Sequence, residues 1–427
     1  MSTPAPSSAP ASLDPLVRRL FVGFAFSALG GGLTMPFLYV YLAEVRGIST
    51  ATVGLLFSWM GVLGFVGSPV GGTLVDRFGP RPVIISGLCA EGVGAALLAH
   101  VQGPWSAWVI STFLSLGTLG LYPASTAMLT RLVPEERRQK VYGLQFMLLN
   151  AGLGVGGVIS GLLVDVADPR TFEQLYYLDA LSYVAYLAVI ISLPRGTGAL
   201  PRKDAAGMVD VLTPQPGWRT VLQDRTLLRV VIASAVTITF GYAQFQAGFS
   251  AYVVGVAGID ARWLGWAFGA NTAAIVVGQL AALRLVKGRS RTRMLALAAG
   301  IWALSWTVIV ASDAVSGGVA VALVIVGLGV FGIGETLWAP IAPAIVNDLA
   351  TEELRGRYNA LQGMTWTVAM IVGPALSGLL IGNGLVGVWV GLTVGGSVLA
   401  SLLFVRLRRH LTPTQDGVAT PDLELAA

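Results

Sequence analysis

The chain has 427 residues, 55% of them hydrophobic and only 11% charged, with a mean hydropathy of +0.74. A water-soluble domain carries about 25% charged residues, so a soluble enzyme or binding domain is excluded. One cysteine, Cys89, and two distant histidines, His100 and His410, exclude a disulfide framework and a metal cluster built from these residues alone. The first fifteen residues are small and polar with no basic region, which reads as a disordered tail and not as a signal peptide.

Twelve apolar stretches follow, each near the roughly 20 residues that cross a bilayer as a helix. They run over 17–43, 51–74, 82–102, 105–130, 141–164, 174–194, 227–254, 262–286, 292–312, 317–347, 358–382 and 385–405. The pattern predicts an all-α polytopic membrane protein of twelve transmembrane helices in two pseudo-symmetric six-helix bundles. The expected divisions are a tail over 1–15, a bundle over 16–194, a central loop over 195–226, a second bundle over 227–409 and a loose tail over 410–427. Residues 218–228 are expected to form a small amphipathic helix on the membrane surface. If the N-terminus is cytoplasmic, all lysines and arginines except Arg46, Arg170 and Arg262 fall on the cytoplasmic side. Both termini are then inside the cell, in the cytoplasmic membrane, and the basic net charge of +5 needs no nucleic acid.

An internal repeat links the two halves. A shift of 217 residues places Gly117 on Gly334, Pro123 on Pro340, Leu144-Gln145 on Leu361-Gln362 and Ser160-Gly161 on Ser377-Gly378. A shift of 211 places Tyr41 on Tyr252, Gly47 on Gly258 and Gly54 on Gly265. Parallel six-helix repeats around an axis normal to the membrane are a transporter architecture.

Between spans 2 and 3 stands Gly72-Thr-Leu-Val-Asp-Arg-Phe-Gly-Pro-Arg-Pro82. Gly72, Asp76, Arg77, Gly79 and Arg81, with Leu74, match the signature loop of the major facilitator superfamily, which this segment resembles. Pro80 stands where that family usually has a basic residue. The resemblance implies the major facilitator fold. It also implies that Asp76 meets the start of span 11 and locks one state of a transport cycle. Gly79 is placed to supply the left-handed turn. Span 5 carries Gly152, Gly156, Gly157 and Gly161, small residues at a spacing that lets helix backbones approach. This stretch resembles the family's antiporter motif, but Gly157 replaces its proline; the proline appears instead in span 11, as Gly373-Pro374.

Ionisable residues at membrane depth cost about 3 kcal/mol or more, so each is a functional candidate. Glu335 lies mid-span in span 10, and its repeat partner is Thr118, so shared packing does not demand an acid there. In the resembled fold, spans 1, 4, 7 and 10 line a central cavity. There a carboxylate can bind and release a proton or pair with a cationic substrate. Glu91 in span 3 divides evenly between a structural and a functional reading. Asp179 in span 6 is read mainly as a cap or an interfacial contact. Span 4 lacks the arginine many family members use for proton transfer. Met35, Tyr39, Tyr242, Gln244, Gln246, Asn271 and Trp338 are candidates to line the cavity, and Gly30-Gly31-Gly32 with Met35-Pro36 to weaken span 1 for bending.

An aromatic cavity with one carboxylate suits amphipathic cations. The expected function is secondary active transport of a small organic molecule by alternating access, as proton-coupled efflux of drugs or metabolites, by a monomer without cofactors. A proton-coupled uptake symporter and a non-transporting sensor stand beside it. No Ser/His/Asp or metal constellation supports an enzyme, and no phosphate-binding Gly-x-x-x-x-Gly-Lys loop supports an ATP-driven pump.

Overall fold

The computed structural model describes residues 14–194, 196–197 and 218–418. All regular structure among them is helical. Twelve helices are long and apolar enough to cross a membrane: α1 (Pro15–Val45), α2 (Thr50–Phe78), α3 (Pro80–Leu98), α4 (Pro104–Leu132), α5 (Val141–Leu163), α6 (Pro169–Ser192), α7 (Arg225–Phe245), α8 (Arg262–Val286), α9 (Arg291–Ala314), α10 (Gly317–Leu349), α11 (Arg355–Gly382) and α12 (Val386–His410). Most of the expected N-terminal tail and central loop lies outside the described residues.

Three of the expected spans are interrupted, each for a visible reason. The first segment of α1 ends at Thr34, and a 3₁₀ turn follows over Met35–Phe37, where Pro36 cannot donate a helical hydrogen bond. The run of α7 is interrupted at the repeat-related place, by a 3₁₀ turn over Ala243–Phe245, and resumes over Gly248–Val256. Within α4 the helix pauses at Leu119–Gly120, because Pro123 leaves the Leu119 carbonyl without its usual donor. Freed backbone groups at membrane depth must be buried and paired. Around α7 the indole of Trp306 donates to the Gly241 carbonyl at 2.8 Å, and that of Trp389 to the Gln244 side chain at 2.7 Å.

Within the first bundle α1 packs on α5 and α6, and α3 on α4 and α6; α7 packs on α11 and α12, and α9 on α10 and α12, in the second. Repeat mates keep the same bonds: Tyr41 donates to the Leu98 carbonyl at 2.8 Å, and Tyr252 to the Val310 carbonyl at 2.9 Å. The bundles touch through two pseudo-symmetric seams, α2 against α11 and α5 against α8. Gly54 lies against Pro374 and Gly378, and Gly265 against Gly157 and Gly161, with no room for a Cβ on either. Both seams lie at the end of the molecule away from the arginine-rich loops. The halves are therefore closed at that end and part toward the basic end.

Two expectations need correction. Residues 218–228 do not form one helix: a short helix spans Trp218–Gln223, and Asp224 then caps α7 by accepting from the Thr226 and Leu227 N–H groups at 2.8 and 3.0 Å. The tail after His410 is not loose as far as Val418. It folds back so that buried Asp416 accepts from the Thr292 N–H at 2.8 Å and the Ser290 hydroxyl at 2.5 Å, capping α9 from another segment. Asp416→Ala is expected to lower stability by about 1–2 kcal/mol, read as a fall in Tm of the purified protein; an unchanged Tm removes the capping role.

Candidate functional site

The space between the bundles forms a cavity with two chambers, about 170 and 590 Å³, joined along Tyr242 and Glu335, which line both. The smaller chamber lies against the closed seam, among Met35 and Pro36 of α1, Asn150 of α5, Phe245 and Gln246 of α7, and Phe268 and Asn271 of α8. The larger one runs to the basic end, past Tyr122, Phe146, Gln279, Trp338, Gln362 and Trp366. Among the described residues, no lysine, arginine or histidine lines either chamber.

Glu335 sits near the middle of α10 and is half-buried, so its carboxylate meets the cavity and not lipid. The Asn271 amide is within hydrogen-bonding reach of it. Tyr242 rests at the centre of an aromatic wall, 4.8 Å from the Trp366 ring and 5.8 Å from those of Trp302 and Phe331. A carboxylate framed by aromatic faces is an arrangement that receives an organic cation: the charge pairs with the acid and the ring quadrupoles attract its rim.

Of the sequence candidates, Met35, Tyr242, Gln246, Asn271 and Trp338 line this cavity. Tyr39 and Gln244 do not. Tyr39 is buried, its hydroxyl 2.9 Å from that of Thr50 across the α1–α2 corner, and buried Gln244 accepts from Trp389. Glu91 and Asp179 share a separate pocket of about 270 Å³ inside the first bundle, together with Thr34, Thr118, Tyr176 and Tyr183. Asp179 lies within α6 and caps neither of its ends. It is buried and accepts from the Thr34 hydroxyl at 2.9 Å.

The signature loop occupies the basic end. Gly79 has φ 82° and ψ 164°, a conformation open to glycine, and α3 begins at the next residue. Arg81 donates to the Pro194 and Ile191 carbonyls at 2.7 and 3.0 Å, tying α3 to the end of α6. The Arg77 guanidinium lies over the Phe78 ring. Gly72 faces open space, and Asp76 is exposed. The contact with the start of α11 that the resemblance implied for Asp76 is not made in this state, because α2 and α11 meet at their other ends. In the packing motif, Gly152 and Gly156 admit the backbone of α1, Gly161 that of α8, and Gly373 the Ala243 turn of α7; a Cβ on Gly157 would make only ordinary contacts, with Phe268, Pro36 and the Gly265 carbonyl.

Sequence reasoning missed Phe268, Gln279, Tyr122, Asn150 and Trp366. It assigned the cavity to spans 1, 4, 7 and 10 with Asn271 alone from span 8, whereas α5, α8 and α11 contribute equally. The signal for α8 was present: Gly265, Phe268, Asn271, Ile275 and Gln279 follow the three- and four-residue spacing of one helix face.

Twelve spanning helices in two repeated halves around a central cavity that holds one carboxylate define a multi-pass membrane carrier. The family model of the Major Facilitator Superfamily matches residues 20–338 and 258–424, and the chain belongs to that superfamily. Its members carry small molecules across membranes and are not enzymes. The chain is 22% identical over 418 residues to the uncharacterized MFS-type transporter YqjV of Bacillus subtilis (strain 168), spanning 96% of this chain and 98% of that one. It is 27% identical over 225 residues to the quinolone resistance protein NorA of Staphylococcus aureus (strain N315), spanning 52% of this chain and 55% of that one. Crystal structures of the peptide transporter POT in complex with sulfate and of the nucleoside transporter NupG share the fold. Their TM-scores are 0.73 and 0.69 and their identities 16% and 12%; they match 92% and 93% of this chain and 94% and 100% of their own.

Proposed function

We propose that this carrier exports amphipathic, cationic small molecules in exchange for protons, as a monomer working by alternating access. The observation that carries the reading is Glu335: a carboxylate at membrane depth, half-buried in an aromatic cavity with no basic residue among the described residues of its lining. An intramembrane acid so placed persists because a proton or a cation neutralises it for part of each cycle. The likeness to NorA, a quinolone resistance protein, supports export, since carrying a drug out of the cell is a route to resistance. The arginine-rich loops support a cytoplasmic basic end with both termini inside. The cavity, open toward that end, is then the cytoplasm-facing state that loads an exported substrate.

The test uses inverted vesicles containing the protein and a panel of fluorescent organic cations. An acid interior is expected to drive accumulation of at least one cation, and a protonophore to stop it. Accumulation that persists with protonophore removes the proton coupling. Movement only in right-side-out vesicles, with an inward proton gradient, reverses the direction and makes the chain an uptake symporter. No movement of any organic cation in either vesicle overturns the substrate class.

A further inference from the structure

The pocket inside the first bundle is a second acidic site, away from Glu335. Glu91 on α3 and Asp179 on α6 are 4% and 5% exposed and line the same space. Asp179 has two hydroxyl donors, Thr34 at 2.9 Å and Ser182 at 3.4 Å. Glu91 has the Tyr183 hydroxyl within reach, but its Oε1 has no partner. The Tyr176 hydroxyl on the same wall is also unpartnered.

Among the described residues, the other faces bring no countercharge. Thr34 and Met35 come from α1, Met60 from α2, and Ser115 and Thr118 from α4. Arg46, beyond Tyr176 toward the closed end, is already committed. It pairs with Glu173 at 2.7 Å and donates to the Tyr41 hydroxyl at 2.9 Å and the Ala99 carbonyl at 3.0 Å. Two carboxylates in one buried pocket without a cation do not both stay ionised.

We propose that Glu91 and Asp179 form a second proton-binding site of the carrier, taking up one proton for the pair and tying its release to the break in α1 at Thr34–Met35. This deepens the proton-coupled reading above. The orphan oxygen of Glu91 marks where the proton sits, while the hydroxyls of Thr34 and Ser182 hold Asp179 as the anion. The proton enters from water and returns to water, and only an O–H bond is made or broken.

The tie to α1 is direct. Thr34, the donor to Asp179, is the last residue before the 3₁₀ turn. A Cβ on Gly30, one turn earlier, would fall 2.5 Å from Asp179 Oδ1 and 2.1 Å from Ser182 Oγ, so the α1 backbone lies against this pair. Met35, in the turn itself, lines both this pocket and the central cavity. Loss of the proton leaves two like charges beside that turn and favours its movement. Thr118, on the same wall, is the repeat partner of Glu335. The first bundle thus carries its acids on α3 and α6 around the position where the second carries one on α10.

The experiment is infrared difference spectroscopy of the full-length protein in lipid nanodiscs over a pH series, following the C=O stretch of protonated carboxyls. Wild type, Glu335→Gln, Glu91→Gln and Asp179→Asn are compared, each first checked for monodispersity. A carboxyl band is expected that survives Glu335→Gln and is absent in Glu91→Gln. In Asp179→Asn it is expected to remain with its titration midpoint moved by about one pH unit or more, the mark of interacting sites. A band unchanged in Glu91→Gln overturns the proposal, as does an unchanged midpoint in Asp179→Asn. If Glu91→Gln is not monodisperse, the Asp179→Asn midpoint alone decides. Export failing while the band behaves as expected removes the exporter reading and leaves the proton site standing; export intact with the band indifferent to Glu91 removes the site alone.

Discussion

Glu335→Gln is expected to cut proton-driven export of an organic cation by about two orders of magnitude or more. Removing one partner of a desolvated charge pair costs roughly 2–5 kcal/mol, and each 1.4 kcal/mol is tenfold. The amide keeps the shape and the contact with Asn271 but neither carries a charge nor exchanges a proton. The wall of Tyr242, Trp338 and Trp366 is untouched, so the fold is expected to survive. Initial rates in inverted vesicles at matched protein levels check this. Glu335→Asp, which keeps the charge on a shorter arm, is expected to retain part of the rate. Wild-type export by Glu335→Gln would make the acid structural and move attention to Glu91.

Gly265→Leu is expected to shift the carrier away from the state described here by roughly tenfold to a hundredfold. A Cβ at Gly265 would fall 2.2 Å from the Gly157 carbonyl and 2.9 Å from the Gly161 Cα. Backbone atoms on both sides leave no flexible neighbour to give way. Overpacking of this kind costs about 1–3 kcal/mol, and only the state in which α5 and α8 meet at this end bears it. Gln279→Cys in a Cys89→Ala background reports the outcome, since Gln279 lines the chamber toward the basic end. Its labelling by an impermeant maleimide in inverted vesicles is expected to slow. Gly54→Leu, the repeat mate against Pro374 and Gly378, is expected to act alike. Gly64→Leu, with nothing within 4 Å, serves as the control. Labelling unchanged in both seam variants would mean that the seams do not separate during the cycle.

The motifs were legible to different depths. The glycines of span 5 announce close packing, and the 211-residue repeat by itself pairs Gly54 with Gly265. The partners were not legible, because four-residue spacing identifies a face but not what lies against it. The same limit separated Met35, on the cavity, from Tyr39, one turn on and buried. A place near the outer end of span 6 suggests a cap or an interfacial contact for Asp179; the rotation of α6 about its axis turns it toward Thr34 inside the bundle.

By itself the sequence determined the twelve spans, the two-fold repeat, the broken first helix and the few acids held at membrane depth. These follow from chain-local physics: the thickness of the bilayer, the missing N–H of Pro36 and the cost of a charge in hydrocarbon. Only the tertiary structure decided which acids share a pocket, which end of the molecule is closed, and that α5, α8 and α11 line the cavity as fully as α1, α7 and α10. Those depend on helix rotation and on contacts between residues more than a hundred positions apart, such as Gly54 with Gly378 or Thr34 with Asp179. No local pattern encodes them, because the side chain that fills a space at one helix seam is chosen by the helix on the other side of it.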